Sequence, residues 1–553
     1  MIRSRSWAFA STLLVAGGLA AQQPVPADLA PRIDKVFAWF DQTSPGCAVG
    51  LAKDGHPLYT HGYGLANLEY RVPLTDSTVL ESGSVAKQFT ASAIVLLAQD
   101  GKLSLDDDIR KYLPEVPSFG GQTITIRNLL THTSGLRDQW GLLGIEGRGP
   151  GTQVHSPATT LDLIAHQKML NFAPGTAYLY SNSGYALAGI IVQRVSGKTL
   201  DAFTQERLFR PLGMTHTQWR DDFTEVVKNR ATAYNGSPVA GFHTDMPFTD
   251  MIGNGGLLST MGDLMIWNEN LDTPKQGTAF VNALETPMQL KSGRTIDYGL
   301  GLGVNVFRGV REMSHDGSTA GYRTFLARYP QQHVSVAVWC NYASANPNAL
   351  GHQVASLVLT FPAMATAQAK PRAVSVPKSE LSRWQGVYRD EMSGATATLS
   401  AGDSALTQPM ANGNGTVPWT PLGGSRFQSP QGEATFAGAA EKRTITLVRA
   451  GGDTAHYQEV APVPARLPVN DYVGTYASDE LEVRLVIVSR DGKLFLRRRP
   501  ADEFELIPAF VDGFRTPTGD FGSLRFSRDS KGAVTGFAIF AGRVRDVRFK
   551  RVP

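Results

Sequence analysis

The sequence predicts a mixed α+β domain followed by two small all-β units. Three observations predict it. Up to about residue 361, helical stretches such as "AKQFTASAIVLLAQDG" alternate with strand-like ones such as "CAVGLAKDGHPLYTHGYG" and "VSVAVWC". From about Leu381 the text turns to short alternating runs broken by turn signals, as in "LEVRLVIVSRDGKLFLRRR" with Asp491-Gly492 as a hairpin turn. Within that half, Trp384-x-Gly386-x-Tyr388 recurs as Tyr472-x-Gly474-x-Tyr476, which reads as two copies of one β unit.

The elements follow in chain order. Arg3 and Arg5 precede an apolar run from Trp7 to Ala20, then small residues and polar Gln22 and Gln23. That order is a secretory signal over 1–21, and the run is too short and broken for a spanning helix, which needs ~20 apolar residues. The mature protein is therefore expected outside the cytoplasm, periplasmic or extracellular, with no integral membrane segment. Residues 26–361 form the α+β domain. The Ala/Pro-rich 362–380 reads as a linker. Residues 381–464 and 465–553 are each long enough to close into an antiparallel barrel, which removes exposed strand edges. The division falls near "APVPARLP".

Composition excludes some classes. The chain has 553 residues, 42% hydrophobic and 18% charged, with a formal net charge of +4. This is a globular composition, and so small a net charge gives no reason to expect a nucleic-acid partner. The only two cysteines, Cys47 and Cys340, each sit in an apolar strand-like run and read as buried free thiols. No Cys-x-x-Cys or His-Glu-x-x-His pattern is present, and neither a metal nor another cofactor is expected. Basic residues gather near the C-terminus (Arg497, Arg498, Arg499, Arg543, Arg545, Arg548, Lys550 and Arg551). They partly alternate with apolar ones and read as the solvated face of barrel strands.

The candidate chemistry begins at "ESGSVAKQFTA". Ser84 and Lys87 are three apart, so on a helix they share a face. The next twelve residues, Gln88–Gln99, carry no charge, which marks a buried helix. A lysine there is held neutral by desolvation and by the positive helix end, and a neutral lysine can take a serine proton. Further on, "YLYSNSGYALAG" supplies Tyr180-Ser181-Asn182, and "SHDGSTAGYRTF" supplies His315-Asp316-Gly317.

Ser-x-x-Lys, Tyr-x-Asn and His-x-Gly in this order resemble the penicillin-recognising serine hydrolases, in the class C β-lactamase and D-peptidase branch (peptidase S12-like). The resemblance runs from about Pro45 to Tyr342. It implies an antiparallel sheet flanked by helices, with Ser84 as the acylated nucleophile. Lys87 and Tyr180 would share the general-base work, and which of them takes the serine proton stays open. A cation beside Tyr180 would lower its phenol pKa. The N–H groups of Ser84 and Ser318 would form the oxyanion hole, and Asn182, His315 and Gly317 would bind substrate.

Where true β-lactamases carry Lys-Thr-Gly, this chain has a His roughly neutral at pH 7. That form resembles the D-aminopeptidases and D-Ala-D-Ala carboxypeptidases, some of which carry C-terminal lipocalin-like barrels. The expected substrate is a small peptide, D-amino-acid amide or ester, with homo-oligomers formed through the barrels. An esterase or weak β-lactamase, or a non-catalytic sensor or scaffold, are the alternatives. The segment "RDQWGLLGIEGRGPGTQVHS" is expected to be a mobile loop near the cleft.

Overall fold

A computed structural model describes residues 28–363, 372–410, 414–449, 451–498, 501–517 and 521–553. The expected signal segment, residues 364–371 of the expected linker and Arg499 lie outside the described residues.

The N-terminal region is built on one six-stranded antiparallel sheet. Its strands are β1 (Cys47–Lys53), β2 (His56–Tyr63), β3 (Gly303–Phe307), β4 (Val310–Thr319), β5 (Tyr322–Tyr329) and β6 (Val334–Cys340), in the spatial order β3-β4-β5-β6-β1-β2. β5 and β6 are central, and β6 is buried along its whole length, which is why "VSVAVWC" is apolar on both faces.

The strand alternation separates two cores. Cys47, Val49 and Leu51 of β1 and Val334, Val336 and Val338 of β6 face helices α1 (Leu29–Val36) and α6 (Pro347–Ala355). Ala48, Ala337 and Trp339 face the opposite way, onto a larger helical layer. That layer contains α2 (Lys87–Gln99), α3 (Gln139–Glu146), α4 (Asn182–Ser196) and α5 (Met261–Asp272). Among the described residues no helix is long and apolar enough to cross a membrane.

Cys47 and Cys340 are not free thiols. They are register partners on adjacent strands, with Cα atoms 4.0 Å apart, and are joined by a disulfide. Sequence separation of 293 residues hid the pairing, and only the β1–β6 register reveals it.

The C-terminal half is two closed eight-stranded antiparallel barrels, each with its strands in sequential order. The first runs from Gly386–Asp390 to Thr454–Val460 and the second from Gly474–Ser478 to Val544–Val552. In each, the first and last strands pair to close the barrel. The short sequence echo has the same physical content in both. Tyr388 OH donates to Trp384 O at 2.9 Å, and Tyr476 OH donates to Tyr472 O at 2.8 Å. Each tyrosine is buried and pins the entry segment of its own barrel.

Candidate active site

Three elements converge beneath one cleft of about 640 Å³: the start of α2, the start of α4 and the end of β4. Ser84 lies in a 3-10 turn, Gly83–Ala86, that runs straight into α2. Every α2 residue from Lys87 to Leu97 is buried, so the uncharged run after Lys87 is a helix buried along all but its last two residues.

Lys87 Nζ has three partners: Ser84 Oγ at 2.9 Å, Asn182 Oδ1 at 2.9 Å and the Asn254 carbonyl at 2.6 Å. Burial holds the Lys87 pKa well below that of an ordinary lysine, and the charge of Arg543 pushes the same way while Asp138 opposes it. A neutral amine has two N–H donors and one lone pair. The two pure acceptors take the donors, and the lone pair is left facing the Ser84 hydroxyl.

Asn182 opens α4. Its backbone N–H and its Nδ2 both donate to Asp138 Oδ2, at 2.7 and 2.9 Å. With Oδ1 on Lys87, the amide is fixed at both ends and keeps one N–H and one lone pair for a substrate. Asp138 is thus a positioning residue. Of its segment 147–156 is loop, whereas Asp138 caps α3, accepting from Trp140 N–H, and the helix is largely buried. Trp140, Pro150 and Gly151 line the cleft.

The Tyr180 hydroxyl faces Ser84. Its pKa does not fall as expected. Burial pushes it up, and the Ser84 hydrogen bond and the Arg543 charge offset this only in part. Tyr180 is therefore a protonated phenol, a donor rather than a ready base. Its ring lies 4.0 Å from that of His132, whose Nδ1 accepts from Ser181 N–H at 3.1 Å. His132 is a buried platform for the tyrosine.

His315 lies on β4. Its Nδ1 is 2.6 Å from the Asp316 carbonyl and its Nε2 is 2.9 Å from Tyr298 OH. A carbonyl only accepts, so Nδ1 carries the proton and Nε2 accepts from Tyr298. Burial, helped by the Lys87 charge, lowers the His315 pKa to about 4, so the imidazole is neutral at pH 7. Asp316 alternates to the exposed side of the strand and still lines the cleft mouth.

Gly317 and Gly83 bring β4 and the Ser84 turn together. A Cβ on Gly317 would stand 2.0 Å from Ser82 O and 3.1 Å from Ser84 N. Gly83 has φ +50°, and a Cβ there would stand 2.5 Å from Ser318 N. The absence of both side chains lets the Ser84 and Ser318 backbones face the same small volume.

The second barrel contributes what the sequence pattern did not foretell. The hairpin joining its last two strands carries Arg543 into the cleft, with the guanidinium 4.6 Å from the Tyr180 ring centroid and 3.9 Å from Asp138 Oδ2. The hairpin is clamped to the N-terminal domain. Asn171 Nδ2 donates to Arg543 O, and Arg545 N–H donates back to Asn171 Oδ1, both at 2.9 Å. Arg137, wholly buried, donates to Arg545 O at 2.9 Å and Asp546 O at 2.8 Å, and pairs with Glu480 of the same barrel. The C-terminal basic cluster is thus not uniformly a solvated face. Arg497, Arg548 and Lys550 are exposed and paired with acids, as expected, but Arg543 lines the cleft and Arg545 is half-buried. Strand alternation cannot reveal this, because it does not say what packs against the strand.

Residues 27–358, more than half of the chain, match the Beta-lactamase family model. The chain belongs to the beta-lactamase family. It is a serine hydrolase. Among curated relatives, a D-aminopeptidase from Brucella anthropi is 28% identical over 543 residues, covering 92% of this chain and 95% of that protein. A D-aminopeptidase from Cereibacter sphaeroides is 27% identical over 521 residues, covering 92% of this chain and 96% of that one. Among solved structures, the octameric penicillin-binding protein homologue from Pyrococcus abyssi shares the fold at a TM-score of 0.54 with 21% identity, covering 86% of this chain and 99% of that one. The hydrolase and these two curated relatives match along nearly their whole lengths, barrels included.

Proposed function

We propose that this hydrolase is a peptidase/amidase that forms an acyl-enzyme on Ser84 and acts on short peptides or amides of D-amino acids. The observation that carries the mechanism is the desolvated Lys87 nitrogen 2.9 Å from Ser84 Oγ. Lys87 takes the Ser84 proton as Oγ attacks the carbonyl carbon. The Ser84 and Ser318 N–H groups hold the developing oxyanion, where each donor is worth about 2.7–4 kcal/mol. The C–N bond then breaks, and the leaving nitrogen takes a proton from the Tyr180 phenol, which regains it from Lys87. Water, deprotonated by the same amine, releases the acid and restores Ser84.

For the substrate, the D-aminopeptidase relatives support a D-amino-acid residue on the acyl side. The exposed Asp316 carboxylate at the mouth favours a free amino group, and the neutral His315 supplies no cation for a β-lactam carboxylate. Arg543 favours a second reading, a carboxypeptidase for peptides ending in D-Ala-D-Ala, because it supplies a positive charge from another direction. We further propose that residues 1–21 direct export, that 26–361, 381–464 and 465–553 are the three units, and that the barrels mediate self-assembly.

A substrate panel on wild type and Ser84→Ala tests the reading. It comprises D-alanine p-nitroanilide, its L isomer, an N-acyl peptide ending in D-Ala-D-Ala, a nitrophenyl ester and a chromogenic cephalosporin. Wild type alone is expected to label with a fluorophosphonate and to turn over the D-anilide fastest. Faster turnover of the cephalosporin, with both D-substrates untouched, would overturn the substrate class. Labelling of Ser84→Ala equal to wild type would overturn the nucleophile.

A further inference from the structure

A second cleft, of about 900 Å³, lies where the two barrels meet the N-terminal domain, away from Ser84. Its charged lining is strongly one-sided: Arg389 from the first barrel and Arg525, Arg528, Arg545, Arg548 and Lys550 from the second face only two acids, Glu391 and Asp546. Three of the cations are neutralised locally. Arg528 pairs with Asp471 and Asp512, Arg548 with Asp546, and Lys550 with Asp479. No ion pair among the described residues includes Arg389, Arg525 or Arg545.

Arg389 is the unusual group. It is only 4% exposed, its charge stands against that of Arg525 and feels the Asp390, Asp546 and Glu391 carboxylates without forming an ion pair with any of them, and its Nη2 has no hydrogen-bond partner among the described residues. The Nε of Arg545 is buried and unpartnered as well. The neighbouring Asp390 carboxylate does not answer this need, since it accepts from the Met392 and Ser393 N–H groups of its own turn. The other face of the Arg389 guanidinium is covered by the Phe540 ring, 4.4 Å from its centroid. A desolvated guanidinium with an unused N–H is costly, and a multivalent oxyanion satisfies several such donors at once with matching geometry.

We infer that this cleft binds a dissolved phosphate group, held by Arg389, Arg525 and Arg545. The anion joins the first barrel to the second, next to the hairpin that carries Arg543. A dissolved anion fits better than a lipid headgroup, because Arg389 is only 4% exposed beneath the Phe540 ring.

The test titrates the full-length protein with inorganic phosphate, against sodium chloride at matched ionic strength, and follows the Tm. Wild type is expected to show a saturable rise of about 2–4 °C. Arg389→Met keeps the apolar stem and should lose the rise, while its phosphate-free hydrolysis stays at the wild-type level. Arg525→Gln, at an exposed position, should weaken the rise and serves if Arg389→Met does not fold. No saturable rise in wild type, or an equal rise in both variants, would overturn the inference. Sedimentation with phosphatidylglycerol vesicles that depends on Arg389 would overturn the choice of a dissolved anion.

Discussion

Glu480→Gln should undock the second barrel from the active site. In the folded protein the Arg137 and Glu480 side chains are 0% and 6% exposed, and Glu480 Oε2 also accepts from Lys168 N–H at 3.0 Å. Removing one partner of such a buried pair leaves an uncompensated charge and costs about 3–5 kcal/mol. At about 1.4 kcal/mol per tenfold, that shifts the docking equilibrium by two to three and a half orders of magnitude. The cost falls on the interface rather than on either core, since Arg137 and Glu480 come from different units. Hydrogen exchange is the direct assay. The amides of 138–146 and 541–546 should lose protection, while those of β1 and β6 should not. The same variant should change kcat/KM, because Arg543 leaves the Tyr180 ring. The double variant Arg137→Met/Glu480→Met should recover part of the docking, as no charge is stranded. Recovery is incomplete because the bonds from Arg137 to Arg545 O and Asp546 O are also lost. Wild-type protection and kcat/KM in Glu480→Gln would refute the reasoning.

Other perturbations have equally definite outcomes. Gly317→Ala forces a Cβ against Ser82 O, so β4 must back away from Ser84; kcat should fall by about 10²–10³, as for loss of an oxyanion donor, with an overpacking cost of about 1–3 kcal/mol in denaturant unfolding. His315 has a folded pKa of about 4, below its ordinary 6.5, so the unfolded chain binds the extra proton first. Its contribution to stability is therefore complete above pH 6.5 and is lost as pH falls from 6.5 towards 4, and His315→Gln should flatten that part of a denaturation-versus-pH curve. Because Lys87 must be neutral to act, kcat/KM should fall on acidification through its lowered pKa, and Asp138→Asn, removing a carboxylate that favours the cation, should move that limb to lower pH. Cys47→Ala/Cys340→Ala should cost about 2–5 kcal/mol in denaturant unfolding without changing substrate preference, since the disulfide ties β1 to β6 away from the cleft.

The parts of the site legible in the sequence are those whose signal is local. Ser84 and Lys87 share a helix face, and the uncharged run behind Lys87 announces burial before any fold is known. The barrels were legible through alternation, turn residues and the tyrosine echo, each carried by a stretch of ten residues or fewer. Asp138, Tyr298 and the Asn254 carbonyl were not. Each acts through hydrogen bonds to a residue outside its own local stretch, and an isolated Asp, Tyr or backbone carbonyl carries no pattern of its own. The Tyr180 titration was read in the wrong direction for a related reason. A neighbouring cation can be guessed from motifs, whereas the depth of burial that outweighs it is a property of the packed core.

The sequence by itself determined the family, the order of an α+β domain and two barrels, and the pairing of a candidate serine with its amine, because these rest on short-range spacing and on motif order. Only the tertiary structure decided the Cys47–Cys340 bond, the burial that raises the Tyr180 pKa and the presence of Arg543 beside Tyr180. Each of these depends on which strands or domains become neighbours, and Arg543 reaches Asp138 across some four hundred residues of chain. Register and domain docking are set by the sum of many buried contacts, so no single stretch of sequence records them.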